Sequence, residues 1–234
     1  MKIAVMQPYL FPYIGYFQLI KSVDIFVFYD DVNFIKKGWV NRNRILVNGK
    51  DLIFTVPLNK VSQNNLINET FINLDMFGNW KEKFVQTLLF NYKKAPYYCE
   101  VERLINSVLN KKFNTISELA IESITIISKY LQLDVKFITS SERYDNKTLE
   151  REDRLVDICV EEKASHYINA LGGQELYNKE SFKNKGIDLS FIKTHPIEYK
   201  QFNNEFIPWL SIIDLLMFNS IDEVNIMLAK YELV

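Results

Sequence analysis

A chain of 234 residues with 48% hydrophobic and 24% charged side chains has the composition of a soluble globular protein and can bury one substantial core. Its formal net charge of −1 supplies no basic field for a nucleic-acid backbone, and no apolar run approaches the roughly 20 residues that cross a bilayer. Aromatic residues reach 14%, with 17 Phe and 13 Tyr, which points to a ring-rich core with some rings left to wall a pocket.

The opening stretch, Lys2–Asp31, organises the rest. Ile3-Ala4-Val5-Met6 is an apolar run too short for a helix and suited to a buried strand, and Gln7-Pro8 ends it. It is too short for a signal-peptide core as well. The aromatic loop Tyr9–Tyr16 leads into a helical pattern at Phe17, Leu19 and Ile20. A second buried run, Ile25-Phe26-Val27-Phe28-Tyr29, stops at Asp30-Asp31. Strand, helix and strand in so short a span predict a βαβ unit with a parallel pair. Ligands of open α/β sheets sit beyond the carboxyl ends of the strands, so the working site is expected at Gln7-Pro8 and Tyr29-Asp30-Asp31.

Val32–Arg44 has no helical period and turns at Gly38. Ile45-Leu46-Val47, Asn48-Gly49 and Leu52–Val56 read as a β-hairpin whose turn needs the positive φ angles that Asn-Gly supplies. Asn59–Asn73 reads as a polar loop with a short strand at Thr70-Phe71-Ile72. Trp80, Phe84, Leu88 and Leu89 recur at helical spacing, and a second helix follows Pro96 over Tyr97–Leu109. Thr115 with Glu118 is a capping-box signature for a third. These make a mostly helical insertion over about residues 78–133. Strands follow at Val135–Ile138, His166–Ala170 and Leu189–Ile192, and helices at Arg151–Glu162, Gln174–Lys185, Ser211–Met217 and Asp222–Tyr231. The alternation predicts the α/β class, with a parallel-sheet core flanked by helices in one domain over residues 1–234.

Several constellations can carry chemistry. Asp30-Asp31 ends a strand, where paired carboxylates bind a metal, orient a hydroxyl or act as a base; a solvated, capping loop is the alternative. Arg42 and Arg44 share a face if their segment is a strand, and two forks there clamp a phosphate or carboxylate. With Lys36, Lys37, Trp39 and Asn41 beside them, they form a candidate anion clamp; an edge strand protected by charge is the alternative. Gly172 and Gly173 follow a strand and precede a helix, where a backbone can approach an anion. His195, one of two His residues, follows the last strand and is an acid–base candidate. Ser211 with Asp214 three residues on has a capping spacing. Gln7, Tyr13, Gly15, Tyr16 and Gln201 complete the binding candidates. Cys99 and Cys159 lie far apart in helical patterns and are expected as reduced, buried thiols of a cytoplasmic protein. No metal cluster, Walker loop or nucleophile elbow is read in the chain, so no cofactor is assigned.

MQPYLFPYIGYFQLI with FVFYDDVNFIKKGWVNRNRI, then Asn169–Gly173, then Phe206–Leu216, resembles the WbqC-like family in three ordered blocks. The resemblance implies a place in bacterial O-antigen or other surface-polysaccharide assembly. It implies a transferase acting on a nucleotide-linked sugar, an amino sugar in the narrower form of that expectation, with N-acyl or aminoacyl transfer as the candidate reaction. Asp30, Asp31 and His195 would be its acid–base groups, and Arg42 and Arg44 its anion clamp. The segment Phe11–Tyr16 is also similar in register to the motif of the HIGH-motif (HUP) nucleotidyltransferases. Gly15 stands at the Gly position, and Tyr13 and Tyr16 stand where His is usual. That likeness implies a nucleotidyltransferase-like enzyme as one alternative; a non-catalytic glycan- or partner-binding protein is another.

Overall fold

The computed structural model describes residues 1–62, 64–203 and 205–234. The chain opens with β1 (Lys2–Met6), α1 (Ile14–Lys21) and β2 (Ile25–Phe28). β1 and β2 pair in parallel from Ile3–Ile25 to Met6–Phe28, as the βαβ reading requires. The hairpin comes next: β3 (Arg42–Val47) and β4 (Lys50–Thr55) are antiparallel and stand apart from the main sheet. Asn48 and Gly49 take φ of 50° and 73° at its turn. α2 (Leu74–Tyr92), α3 (Tyr98–Leu109) and α4 (Ile116–Tyr130) form the helical insertion. Thr115 and Glu118 close a capping box on α4.

β5 (Lys136–Ile138), α5 (Arg151–Glu161), β6 (His166–Ala170), α6 (Lys179–Asn184) and β7 (Asp188–Thr194) restore the alternation. α7 (Ile212–Phe218), α8 (Ile221–Leu228) and β8 (Tyr231–Leu233) close the chain. The six-stranded sheet runs β5-β2-β1-β6-β7-β8, parallel except for β8.

Strand alternation explains why the sheet is covered on both faces. Ile3, Val5, Ile25, Val27, Tyr167 and Phe191 face the core completed by Leu155 and Ile158 of α5 and Phe182 of α6. Ala4, Phe26, Phe28 and Ile168 face the larger core under α1, the three-helix insertion, α7 and α8.

Four expectations are corrected. The helix read over Gln174–Lys185 starts only at Lys179, because Asn178 accepts from the Glu180 amide as an N-cap. The turns before it follow a 3₁₀ segment, Leu171–Gly173. The last helix stops at Leu228, and Tyr231–Leu233 pairs antiparallel with Ile192–Thr194. Val224, Leu228 and Tyr231 kept a helical spacing, so period alone could not separate the two. Thr70–Ile72 makes only isolated bridges, Leu58–Ile72 and Phe71–Thr115; Gln63, in the same predicted loop, lies outside the described residues. Cys159 is buried, but Cys99 is exposed on the outer side of α3. No helix among the described residues is long and apolar enough to cross a membrane.

Candidate functional site

After β1 the chain turns back through β2 to β5, whereas β6 and β7 lie on the other side of β1. The switch point is therefore the β1–β6 boundary, where open α/β sheets form their crevice. The paired register of these strands ends at Ile3–Tyr167 although both run on toward Met6 and Ala170. One cavity opens at this gap and two others adjoin it. A groove of about 250 Å³ is floored by Met6, Gly15, Ala170, Gly172 and Thr194. A pocket of about 270 Å³ is walled by Tyr9, Tyr13, Trp39 and Trp209, with Asn43 and Arg44. A chamber of about 560 Å³ holds His195 at its edge. Tyr13 and Trp209 line all three, and their rings meet edge to face at 5.8 Å between centroids.

Buried polar side chains fix the Tyr9–Tyr13 loop. Ser123 Oγ accepts from the Phe11 amide at 3.1 Å, and Ser211 Oγ donates to the Phe11 carbonyl at 2.7 Å. Asn43 Nδ2 donates to both the Leu10 and Phe11 carbonyls, at 3.0 and 2.9 Å. The Leu10 amide donates to Trp39 and the Ile212 amide to Pro12. Together these hold Phe11 at a φ of 42°, a region costly for a side chain with Cβ. Leu10 and Phe11 are fully buried by this arrangement, and Tyr9 and Tyr13 are left facing the cleft. Gly15 makes room for Tyr13: a Cβ there would lie 2.4–2.8 Å from the ring. Tyr16 is buried, and its hydroxyl donates to the Gln7 carbonyl at 2.8 Å. Among the described residues no side chain caps α1, and its first turn carries no acidic residue, so its amino end favours an anion.

Arg42 and Arg44 do share a face, with both guanidiniums over the Trp39 ring at 5.5 and 5.7 Å. They do not form a two-fork clamp. Arg42 donates to the Gly38 carbonyl at 3.0 Å and also to the Lys37 carbonyl, which stitches the turn at Gly38. Arg44 donates to Asp51 at 3.2 Å and to the Trp209 carbonyl at 3.1 Å. Its Nε is buried with no hydrogen-bond partner among the described residues. Trp209 stands at a φ of 62° with 59% of its surface exposed, a strained position occupied by a large ring.

Asp30 and Asp31 point apart, because successive residues at a strand end face opposite sides. Asp31 is buried and accepts two hydrogen bonds from Arg154 Nη2 at 2.8 Å, plus one from Ser141. Arg154 is itself buried, stacks 4.8 Å from the Tyr29 ring and donates to Asn146. This pair is structural in geometry. Asp30 turns to α4 and accepts from Ser140 at 2.6 Å and Ser117 at 2.9 Å. Burial pushes its carboxyl above the usual range, against the pull of those hydroxyls. It lines a separate polar basin of about 670 Å³ with Lys111 and Asn68. His195, after β7, is three strands away, about 14 Å at ordinary strand spacing. The three acid–base candidates are therefore not brought together, and only His195 reaches the cleft.

The other expected residues divide. Tyr13, Gly15, Tyr16, Trp39, Arg44 and Gly172 line the cleft. Gly172 has open space where a Cβ would stand, whereas Gly173 lies against Asn169. The helix expected after these glycines begins six residues later, so its amino end does not lie at them. Gln7 contributes its carbonyl to Tyr16, Lys36 is exposed and is not among the residues lining the three cavities, and Asn41 is buried with Nδ2 on the Val56 carbonyl at 3.0 Å. Gln201 lies behind the chamber in a buried network centred on Asp214. That carboxylate accepts from Tyr92 at 2.7 Å, Tyr199 at 2.7 Å and Gln201 at 2.9 Å. Burial pushes Asp214 up, opposed by these donors, and both phenols are raised well above their ordinary range. Ser211 does cap α7, through the Ile213 amide, but Asp214 turns inward instead of closing the box.

Among the described residues no group of three or more His, Cys, Asp or Glu side chains is placed to hold a metal.

The sequence model of the WbqC-like protein family matches residues 7–226. The chain belongs to that family. It is similar to the uncharacterized protein Rv1507c of Mycobacterium tuberculosis, with 30% identity over 220 residues and 92% of each chain covered. No solved structure matches it. The part shared with the WbqC-like family takes in every cleft residue except Met6, Trp209 and Asn43 among them, and also the buried Ser123 and Asp214 that support the cleft from behind; sequence reasoning placed none of these four there. Trp209 had one visible signal: a large ring after Pro208 in a segment with no helical or strand period.

Proposed function

We propose that this WbqC-like protein is a transferase of bacterial surface-glycan assembly. In this reading it works as one domain and holds a nucleotide-linked amino sugar in the groove and the aromatic pocket beside it. The observation that carries it is the pair of cavities meeting at Tyr13 and Trp209, one of them opening at the β1–β6 gap. Tyr9, Tyr13, Trp39 and Trp209 offer flat faces to a base or a sugar ring. The open amino end of α1 suits a diphosphate, and Gly172 leaves the backbone free for close approach.

The reaction in this reading is acyl or aminoacyl transfer to the sugar nitrogen. The amine attacks an activated acyl carbonyl, the new C–N bond forms and the bond to the carrier breaks. His195 takes the proton the amine loses and returns one to the departing carrier. Asp30 and Asp31 have no part in this, for the geometric reasons above.

The strand order favours a second reading, a nucleotidyltransferase-like enzyme, since that superfamily binds nucleotides at the same crevice. Against it, the Tyr16 phenol is buried on the Gln7 carbonyl.

The test is calorimetric titration with a panel of nucleoside-diphosphate sugars. Binding is expected, with Tyr13→Ala and Trp209→Ala each weakening it about tenfold or more, the usual worth of a stacked ring. Wild-type affinity in both variants, or no binding of any member, overturns the reading. Pyrophosphate release from a nucleoside triphosphate and a sugar phosphate would favour the second. In an enzyme, His195→Asn lowers turnover by roughly 10²–10⁴-fold with binding intact; a binding protein has no turnover to lose.

A further inference from the structure

The 560 Å³ chamber is larger than the groove and the pocket, and the nucleotide-sugar reading leaves it empty. Its walls are Ile14, Ile197, Phe206, Pro208, Leu210 and Leu215, with the Tyr13 and Trp209 rings at the boundary it shares with the other cavities. The polar groups nearest behind those walls are already used. The Tyr199 ring lines the chamber, but its hydroxyl donates away from it to Asp214 at 2.7 Å. The Gln201 amide is committed to Asp214 and to both backbone groups of Ile207. A base or sugar would find little there to read it by hydrogen bonds, and its own polar groups would lose water without compensation. Among the described residues, the polar side chains that line it, Thr194, His195 and Glu198, sit where the chain is partly or fully exposed. A volume of this size with apolar walls and a polar edge is suited to an apolar group with one polar end.

We infer that the chamber seats an apolar acyl chain carried by the second substrate, with the acyl carbonyl at the edge beside His195. The placement of that carbonyl rests on the nucleotide-sugar reading, because the amine must arrive from the adjoining groove. The chain's seat does not. Between the two transfer reactions, the walls favour an unsubstituted acyl group over an aminoacyl group. An ammonium inside would be desolvated, and among the described residues the carboxylate lining the chamber, Glu198, is exposed at its edge.

The probes are straight-chain carboxylates from acetate to decanoate, titrated into the intact protein by calorimetry and by tryptophan fluorescence. Affinity should rise about fourfold per methylene and level off once the chamber is full. Ile197→Trp places a large ring in the chamber, outside the groove and the aromatic pocket. It should flatten the chain-length dependence and leave affinity for UDP-N-acetylglucosamine within twofold of wild type. Ile197→Phe replaces it if the larger ring prevents folding. Three results overturn the inference: no dependence on chain length, an unchanged dependence in the filled variants, or tighter binding of the matching amino-acid series from alanine to norleucine. Failure of the wild type to bind any nucleotide sugar while the chain-length series behaves as stated supports the chamber and counts against the nucleotide-sugar reading alone.

Discussion

Asp214 is the residue whose removal should do most to the cleft without touching it. It is fully buried and ties three segments together: Tyr92 of α2, and Tyr199 and Gln201 of the loop that forms the outer wall of the chamber. Asp214→Ala leaves the Tyr92 and Tyr199 hydroxyl protons without acceptors, while the Gln201 amide keeps the Ile207 carbonyl at 3.1 Å. Each buried orphan costs roughly 1–3 kcal/mol, so the substitution should cost about 3–5 kcal/mol. That is a large share of the 5–15 kcal/mol typical of a folded chain. Asp214→Asn retains one carbonyl oxygen. With that oxygen on Tyr199 and Gln201, only the Tyr92 proton is orphaned, for about 1–3 kcal/mol. The pH dependence has a definite sign. The folded state holds the Asp214 proton more tightly than the unfolded chain does. Wild-type stability therefore declines as pH rises above the unfolded carboxylate value, near pH 4, toward the raised folded value. Asp214→Asn lacks this titration, so its cost relative to wild type should be largest at low pH and shrink across that window. Urea unfolding with fitted m-values from pH 4 to 8 measures both quantities. A cost below about 1 kcal/mol for Asp214→Ala, or a cost of Asp214→Asn that grows with pH, would refute the reasoning.

Gly15→Ala should drive the Tyr13 ring out of place, since its Cβ would lie 2.4 Å from that ring. Titration should show about tenfold weaker nucleotide-sugar binding with stability changed by about 0.5 kcal/mol or less, because Ala favours a helix. Arg154→Met should strand the buried Asp31 carboxylate and cost about 3–5 kcal/mol in urea unfolding, while the double variant Arg154→Met/Asp31→Leu recovers much of it. Arg44→Ala frees the Trp209 carbonyl and should weaken nucleotide-sugar binding about tenfold. Arg42→Ala loosens the turn at Gly38 and removes one of two guanidiniums over Trp39, and should change affinity by about threefold or less. Equal losses in both would restore the two-fork clamp.

The fold was legible wherever one local signal decided it. Ile3–Met6 and Ile25–Phe28 are apolar on both faces and too short for helices, which is what a central parallel pair requires. Asn48-Gly49 could hardly be anything but a tight turn. Tyr231–Leu233 was not legible, since a three-residue edge strand exists only through its ladder to β7. The site was legible in its aromatic half, because the loop after β1 must lie at a carboxyl end. Of its polar half, Arg44 and His195 were legible and the rest was not. Asp30-Asp31 and Arg42/Arg44 carried the chemistry a sequence reader looks for, and each charge found an intramolecular partner. Arg154 is 123 residues from Asp31, and Trp209 is 165 from Arg44. No spacing rule reaches that far. Asp214 was masked by its three-residue offset from Ser211, which imitates a capping box.

The hairpin, outside the main sheet and remote from the crevice in sequence, sets the geometry of the cleft. Neighbouring residues on a strand face opposite ways, and β3 uses this at one step. Asn43 is buried and points to the carbonyls of Leu10 and Phe11. Arg44, the next residue, points outward and holds the carbonyl of Trp209. One strand thus grips the loop that carries Tyr13 and the loop that carries Trp209, the two rings common to all three cavities. Two adjacent residues of one strand move together, so the distance between those rings is tied to the position of β3. The hairpin turn is anchored in turn by α2, through Asn91 on the Asn48 amide and Tyr92 on the Leu46 amide. Tyr92 also donates to Asp214, so the support for both loops returns to the same buried carboxylate. Backbone hydrogen bonds to both loops, together with the edge-to-face contact of the two rings, fix their placement. A cleft preorganised in this way avoids much of the ordering cost that mobile loops incur on binding.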